Sequence, residues 1–179
     1  RYHSLNDCLE KWHNMLEENT AILLRFRLKK IGVISEIRKA FLMIEVKEEE
    51  RDFLRFWWWK DETCQTMEVY QHNRVVFGVT CSPFLLGVVI EYHLRQVEGE
   101  EQKIANQLLR SLYVDNCVTS VDSLEEYEYF KSFSTRVMAD AKMELRQWEF
   151  SSEWETGIGP GTGCGLGSSS TEVPLKNWS

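Results

Sequence analysis

Apolar residues near the start of the chain repeat at helical spacing. They are Leu5, Cys8, Leu9, Trp12 and Leu16. Ser4 precedes them as a candidate N-cap, and Gly32 follows the basic run RFRLKK, which suits a helix C-terminus. The pattern therefore predicts a helix over residues 4–30.

Short runs of β-branched and aromatic residues predict the strands. GVISEI is the first of them. RDFLRFWWW and MEVYQHNRVV flank the polar stretch KDETCQT, so they predict a hairpin. LYVDNCVTSV predicts two short strands around a tight turn at Asp115-Asn116, because Asp and Asn tolerate the positive φ of such turns. ELRQWEF predicts a final strand.

Further helices are predicted between these strands. Pro83 suits a first helical position and starts a predicted helix that runs to about Val97, and residues 100–110 are predicted to form another helix or a continuation of that one. Ser123 and Glu126 have the spacing of a capping box. The apolar positions after them share one helix face, at Leu124, Tyr127, Phe130, Phe133, Val137 and Met138. The order of elements predicts an α+β fold, an antiparallel sheet with helices packed on one face.

The C-terminal residues 153–179 differ in composition from the rest. From Thr156 they are rich in Gly and Ser, which predicts a flexible tail. The run GIGPGTGCG is not a phosphate-binding loop, because it follows no buried strand, opens no helix and lacks the Lys-Ser/Thr ending.

Composition places the chain among globular proteins. Hydrophobic residues make up 43% and charged residues 27%, and no run of 18 apolar residues predicts a membrane span. The start has no secretory pattern and no initiator Met, which suggests a fragment. Five cysteines without a CxxC pair favour reduced intracellular thiols. A net charge of −7 argues against strong nucleic-acid binding unless the charge is segregated.

Some residues could carry chemistry, and each also has a plain structural interpretation. Glu36 and Asp115 lie at strand ends, and two such carboxylates brought together would suit a hard cation, although solvated carboxylates are commoner there. The aromatic run at 56–59 favours sheet core over a base-stacking platform. His72 and His93 have no partner at ligand spacing, so a structural or exposed role is favoured over metal binding.

Several separated motifs also match a known family in order and at compatible spacing. They are SLNDCL, ILLRFRLKKIGVISEIRKAFLMI, RDFLRFWWWKD, YQHNRVVFGVTCSPFLLG, EYHL, YVDNCVTS and LRQWEFS. Together they closely resemble the reverse transcriptase palm of BEL/Pao-type LTR retrotransposon Pol polyproteins. The resemblance covers about residues 4–152, so we expect a partial palm over 1–152 and the tail over 153–179.

The resemblance implies a right-hand polymerase palm with a ferredoxin-like core and RNA-directed DNA synthesis. It implies two Mg²⁺ ions, with Glu36, Asp115 and Asn116 as the catalytic and metal-binding positions. It also implies substrate-binding positions, at Ile37, Arg38, Lys39, Ala40, Phe41, Phe77, Gly78 and Tyr113. Among these, Phe41 matches the gate against a ribose 2′-hydroxyl, the amides from Ile37 to Ala40 face the triphosphate, and Tyr113 lies in the catalytic turn.

Two of the metal positions depart from the family pattern. Glu36 stands where the family has Asp, and Asn116 replaces the second Asp of the turn. The longer side chain displaces a charge and the amide removes one, so Mg²⁺ affinity should weaken and this copy should be impaired. Fingers, thumb and RNase H are expected to be largely missing, which accounts for an acidic palm.

The implied partners are an RNA or DNA template-primer, dNTP and the remaining Pol domains, with no membrane. The implied location is intracellular, in the cytoplasm or a virus-like particle. A non-catalytic relic or a co-opted nucleic-acid or protein interaction module is the alternative, and an unrelated ferredoxin-like domain is a third possibility.

Overall fold

The computed structural model describes residues 3–10 and 19–151. In chain order the strands are β1 (Ile31–Ile37), β2 (Arg55–Trp59), β3 (Met67–Gln71), β4 (Leu112–Tyr113), β5 (Asn116–Val121) and β6 (Leu145–Phe150). The helices are α1 (Leu5–Cys8), α2 (Asn19–Phe26), α3 (Ser82–Leu94), α4 (Gln102–Ser111) and α5 (Leu124–Asp140). The predicted tail, residues 153–179, lies outside the described residues, so the predicted domain division stays a prediction.

The N-terminal segment differs from the single helix predicted over 4–30. Ser4 does cap a helix, but that helix ends at Cys8, and the next residue, Leu9, is extended. Residues 11–18 lie outside the described part. Gly32 does not end a helix either, because it belongs to β1. A Cβ at Gly32 would come within 2.5 Å of the Phe26 ring, so glycine is needed there for close packing of that ring on the strand.

The main sheet is antiparallel, with strand order β4-β5-β1-β6. β1 is central, and Val33 and Ile37 on its inner face are buried. On β6, the pairs Ile34–Glu149 and Glu36–Arg146 leave one extra residue on the β6 side. This β-bulge includes Gln147, whose φ of 53° lies in the left-handed region.

The core lies between the main sheet and helices α3, α4 and α5. One cluster of buried residues joins Ile37, Cys117 and Leu145 from the sheet to Leu86, Leu108, Phe130 and Met138 from the helices. Ser123 caps α5 as predicted, and its predicted apolar face is buried except at Leu124, which is 53% exposed. The mixed helix and antiparallel sheet architecture is therefore confirmed.

The aromatic hairpin is the main departure from expectation. β2 and β3 pair as predicted, but they form a separate two-stranded sheet, and residues 48–54 before β2 form a 3-10 turn. Trp57 and Trp58 are 64% and 62% exposed, so the prediction that they are core residues is wrong. Successive strand residues face opposite sides, and in the described part of the chain neither side of this ribbon is buried.

The two histidines outside the N-terminal segment have structural contacts. The His72 ring stacks on Phe56 with 4.5 Å between centroids, and His93 Nε2 hydrogen-bonds the Val137 carbonyl at 2.7 Å. Among the described residues, no helix is both long and apolar enough to span a membrane.

Among the cysteines that the structure describes, Cys117 is the buried one, and it lies in β5, next to Asn116. Burial raises the pKa of its thiol to about 12, from an ordinary value of 9.0. Between these two values the folded protein keeps a proton that the unfolded chain has lost. The free energy of unfolding should therefore be unaffected by this thiol below about pH 9. Between about pH 9 and pH 12 it should fall by about 1.4 kcal/mol per pH unit.

Urea unfolding at pH 8 and pH 10.5 tests this dependence. We expect the wild type to lose roughly 2 kcal/mol more over this interval than Cys117→Ala, because only the wild type carries the buried thiol. Cys64→Ala, at an exposed thiol, is the matched control and should lose as much as the wild type. Equal losses in the wild type and Cys117→Ala would contradict the prediction.

Candidate functional site

The pairing of β1 with β5 brings the predicted metal-binding positions to one end of the sheet. Glu36, near the end of β1, pairs with Asn116, the first residue of β5. The Ile37 amide donates a hydrogen bond of 2.7 Å to the carbonyl of Asp115 in the adjoining turn. Glu36 and Asn116 are thus neighbours on adjacent strands, with Asp115 in the adjoining turn, which periodicity alone could not show.

The turn between β4 and β5 is built differently from the predicted Asp-Asn turn. Tyr113 pairs with Asn116, so the central residues are Val114 and Asp115. The positive φ, 55°, belongs to Val114. A β-branched residue in this region is strained, at about 1–3 kcal/mol, and Val114 packs against the core, which offsets that strain. The prediction was wrong because Asn116 is held in strand conformation by both its neighbours.

One carboxylate oxygen of Glu36 and one of Asp115 are engaged by protein groups. Glu36 Oε1 lies 2.5 Å from Arg146 Nη2, its cross-strand partner on β6. Asp115 Oδ1 accepts a hydrogen bond of 2.9 Å from the Asn116 side-chain amide, so that amide points its nitrogen, not its oxygen, at Asp115. The site therefore has two formal negative charges and one positive charge beside them.

This donor set does not fit a site for two Mg²⁺ ions as it stands. Oxygen ligands are the right kind for Mg²⁺, but the affinity depends on carboxylate charge and strict geometry. One of the two carboxylates is ion-paired, and the third position carries a neutral amide. In the described residues, no group of three or more His, Cys, Asp or Glu side chains could hold a metal ion.

The segment after β1 contains the positions expected to face a triphosphate. The amide of Ile37 is bonded to Asp115, and the amide of Arg38 donates to the Glu144 carbonyl at 2.8 Å. Lys39 has a φ of 51° and starts a 3-10 turn in which Ala40 is buried. Two of the four amides are thus used within the protein, and contact through Lys39 and Ala40 stays a prediction.

The remaining substrate positions form an aromatic pair and a loop. Phe41 is buried, and its ring meets Phe77 edge to face with 4.7 Å between centroids. Phe77 is 69% exposed, so it presents an open ring beside the strand end. Gly78 follows with a φ of 84°, a conformation that suits glycine, and the Ser82 hydroxyl donates to the Val76 carbonyl at 2.7 Å.

Asn6 holds this loop, a role that the sequence patterns did not predict. Its side-chain amide donates to the Gly78 carbonyl at 2.8 Å, and its side-chain oxygen accepts from the Thr80 amide at 3.0 Å. The signal available in the sequence was the capped first helix, which contains Asn6. The partner could not be read from it, because 72 residues separate Asn6 from Gly78.

The mixed helix and antiparallel sheet fold has a counterpart among solved structures. The fold is similar to the structure of the foamy viral protease-reverse transcriptase in complex with RNA/DNA hybrid, with a TM-score of 0.53 and 16% sequence identity. The similarity covers 75% of this chain and 16% of the viral chain. At this identity it shows the fold alone. No protein-family profile and no curated protein matches the sequence.

The contacts of Asn6 lead to a prediction about the loop. Asn6→Ala removes two hydrogen bonds, each worth about 1 kcal/mol net. We therefore expect hydrogen exchange at the Thr80 amide to accelerate on the order of tenfold. Exchange measured residue by residue by NMR is the readout, and Asn73→Ala, at an exposed position without such a clamp, is the control. Unchanged exchange at Thr80 would show that Asn6 does not hold the loop.

Proposed function

We propose that this chain is a palm segment of a reverse transcriptase of the BEL/Pao type, with an impaired polymerase site. The observation that carries the proposal is the placement of Glu36, Asp115 and Asn116 at one end of adjacent antiparallel strands, within a reverse-transcriptase-like fold. The inherited reaction is RNA-directed DNA polymerisation by two-metal nucleotidyl transfer.

Two independent lines support this proposal. The motifs from SLNDCL to LRQWEFS follow the order of the retrotransposon family. The structural neighbour is a reverse transcriptase determined with a bound RNA/DNA hybrid. By analogy, the partners proposed for this chain are a template-primer duplex, dNTP and the other domains of a Pol polyprotein.

Under this proposal, four of the eight substrate positions have roles that are compatible with their geometry. The exposed ring of Phe77 is the surface that a nucleotide meets first, and the buried Phe41 supports it from behind and limits space at the sugar. The left-handed conformation at Gly78 turns the loop toward α3, and the Asn6 clamp holds it there. Tyr113 fixes the turn through its pairing with Asn116.

Two features weaken Mg²⁺ binding at this site, the ion pair of Glu36 with Arg146 and the missing carboxylate at Asn116, and their energetic effects can be compared. The side chains of Glu36 and Arg146 are 33% and 42% exposed. An ion pair this exposed contributes about 1 kcal/mol or less, so its displacement costs little. The missing third carboxylate lowers the charge of the donor set itself, on which Mg²⁺ affinity depends most strongly. Asn116 is therefore the main cause of weak binding, with Arg146 a smaller one.

Calorimetric titration with Mg²⁺ tests this ranking. Glu36→Asp with Asn116→Asp should raise the affinity on the order of tenfold or more, because it restores a third carboxylate at the shorter length. Arg146→Gln alone should raise it no more than about fivefold, in line with the weak ion pair. Glu62→Asp with Asn73→Asp makes the same substitutions at exposed positions outside the main sheet and should leave the Mg²⁺ affinity unchanged.

The ranking of Asn116 above Arg146 is wrong if Arg146→Gln raises the Mg²⁺ affinity more than the double substitution does. The assignment of the metal site itself is wrong if the double substitution and its control pair have the same Mg²⁺ affinity.

Primer extension tests the proposed reaction. We expect the 179-residue chain to incorporate little or no dNTP on a homopolymer template with Mg²⁺, and somewhat more with Mn²⁺, which binds the same oxygen ligands more tightly. Residual incorporation should disappear in Asp115→Ala and persist in Asp61→Ala, a control at an exposed carboxylate. Robust incorporation by the wild type that depends on Asp115 would contradict the proposed impairment.

A second candidate function is a non-catalytic interaction module. The exposed hairpin β2–β3, with Trp57 and Trp58 open to solvent, is the observation that favours it. The Mg²⁺ affinity of the double substitution distinguishes this candidate function from the polymerase. An interaction module does not depend on a metal at the strand end, so for this candidate Glu36→Asp with Asn116→Asp is expected to leave the Mg²⁺ affinity unchanged.

A further inference from the structure

A groove with basic walls lies away from the strand end that carries Glu36. It is bounded by α4, by the segment from Arg25 to Lys29 and by Thr119 and Ser120 of β5, and it encloses about 450 Å³. The short length of β4 creates it, since β4 pairs with β5 only at Cys117 and Asn116. Beyond that point the Arg25–Lys29 segment lies against β5.

Ser120 fixes the wall opposite α4. Its hydroxyl accepts a hydrogen bond from the Lys29 amide at 3.1 Å and donates one to the Arg25 carbonyl at 2.5 Å. The Arg25 guanidinium donates to the Arg110 carbonyl at the end of α4 and so ties the two walls together. The groove is therefore a built feature that three elements hold in shape.

The charge of the groove is positive, although the chain as a whole carries −7. Its lining residues include four cations and no carboxylate, the cations being Arg25, Lys29, Lys103 and Arg110. Lys29 is paired with Asp122 at 3.3 Å and Glu126 at 2.5 Å. The exposed side chains of Lys103 and Arg110 make no ion pair within residues 3–10 and 19–151. Two uncompensated cations thus face this groove.

The spacing of these two cations matches a chain of phosphates better than a single one. Lys103, Asn106, Gln107 and Arg110 occupy one face of α4, at intervals of three and four residues. Seven residues of helix span about 10.5 Å, which is roughly the axial rise of three phosphates along one strand at 3.4 Å each. The two amide side chains between the cations can bond phosphate and sugar oxygens.

We propose that this groove binds the sugar-phosphate backbone of a single nucleic-acid strand. The lining residues include no aromatic ring, so the contact is to phosphate and sugar and not to stacked bases. The groove lies at the far end of β5 from Asn116. The inference does not rest on the polymerase proposal, because none of its residues belongs to the candidate metal site.

Fluorescence anisotropy with a labelled single-stranded DNA of about 12 nucleotides, several times the three-phosphate span, tests the proposal on the full chain. Lys103→Gln with Arg110→Gln removes both cations and keeps good helix formers. Lys47→Gln with Lys142→Gln removes two exposed cations outside the groove as a matched control. Lys103→Arg with Arg110→Lys keeps the charge, and circular dichroism checks that each variant is folded.

The slope of log K against log salt is negative, and each phosphate that a cation neutralises contributes about −0.7 to it for a single strand. We therefore expect the groove substitution to make the slope less negative by about 1.4. The control pair should leave the slope unchanged, and the charge-keeping pair should retain it. An equal change of the slope in the groove and control pairs would overturn the proposal. A failure of the wild type to bind the labelled strand would overturn it as well.

Competition identifies the source of the phosphate. An unlabelled strand should displace the probe at a far lower phosphate concentration than inorganic phosphate or a nucleoside triphosphate does. Equal potency per phosphate would replace the proposed strand site by a site for isolated phosphate. Because no metal is needed in these assays, their outcome is independent of the Mg²⁺ titrations.

Discussion

The double pairing of β1 is the constraint on which the rest of the structure depends. β1 is bonded to β5 on one edge and β6 on the other, and its inner face is buried under the helices. A slip of one residue would turn that inner face outward, so the register is strongly specified. The register sets Glu36 opposite both Asn116 and Arg146. The arrangement of candidate ligands and the cation that opposes metal binding are thus consequences of the same hydrophobic packing.

Charged side chains are paired at the strand end and at Lys29, but not on α4 within the described residues. At the strand end, a carboxylate is balanced by Arg146 from a neighbouring strand. In the groove, Lys29 is balanced by Asp122 and Glu126, and the hydrogen bonds and charges of these carboxylates outweigh burial and raise the Lys29 pKa. Within the part of the chain that the structure describes, the cations of α4 make no such ion pair. An acidic chain can therefore still present a local positive surface, because net charge says nothing about its distribution.

Local patterns in the sequence predicted the elements well and the contacts poorly. The cap at Ser123, the strand GVISEI and the β2–β3 hairpin were all predictable, because each depends on residues near in sequence. The exposure of Trp57 was not, since alternation cannot tell a main sheet from a separate ribbon. The strained φ at Val114 was missed because tertiary pairing, and not propensity, decides which residue takes the turn. The neighbourhood of Glu36 and Asp115 needed the register, which periodicity does not contain.

The bulge at Gln147 has a consequence for how the strand end responds to motion. Without the extra residue, the pairing that begins at Ile34–Glu149 would place Gln147 opposite Glu36, and a neutral amide would take the place of the guanidinium. β6 is also an edge strand, and edges open locally at a lower free energy than the core. Fraying of β6 alone would release Arg146 and free the Glu36 carboxylate while β1 and β5 stay paired. Under the proposed function, cation affinity at this end of the sheet would therefore be linked to the opening of one peripheral strand, and a bound cation would in turn favour the frayed form.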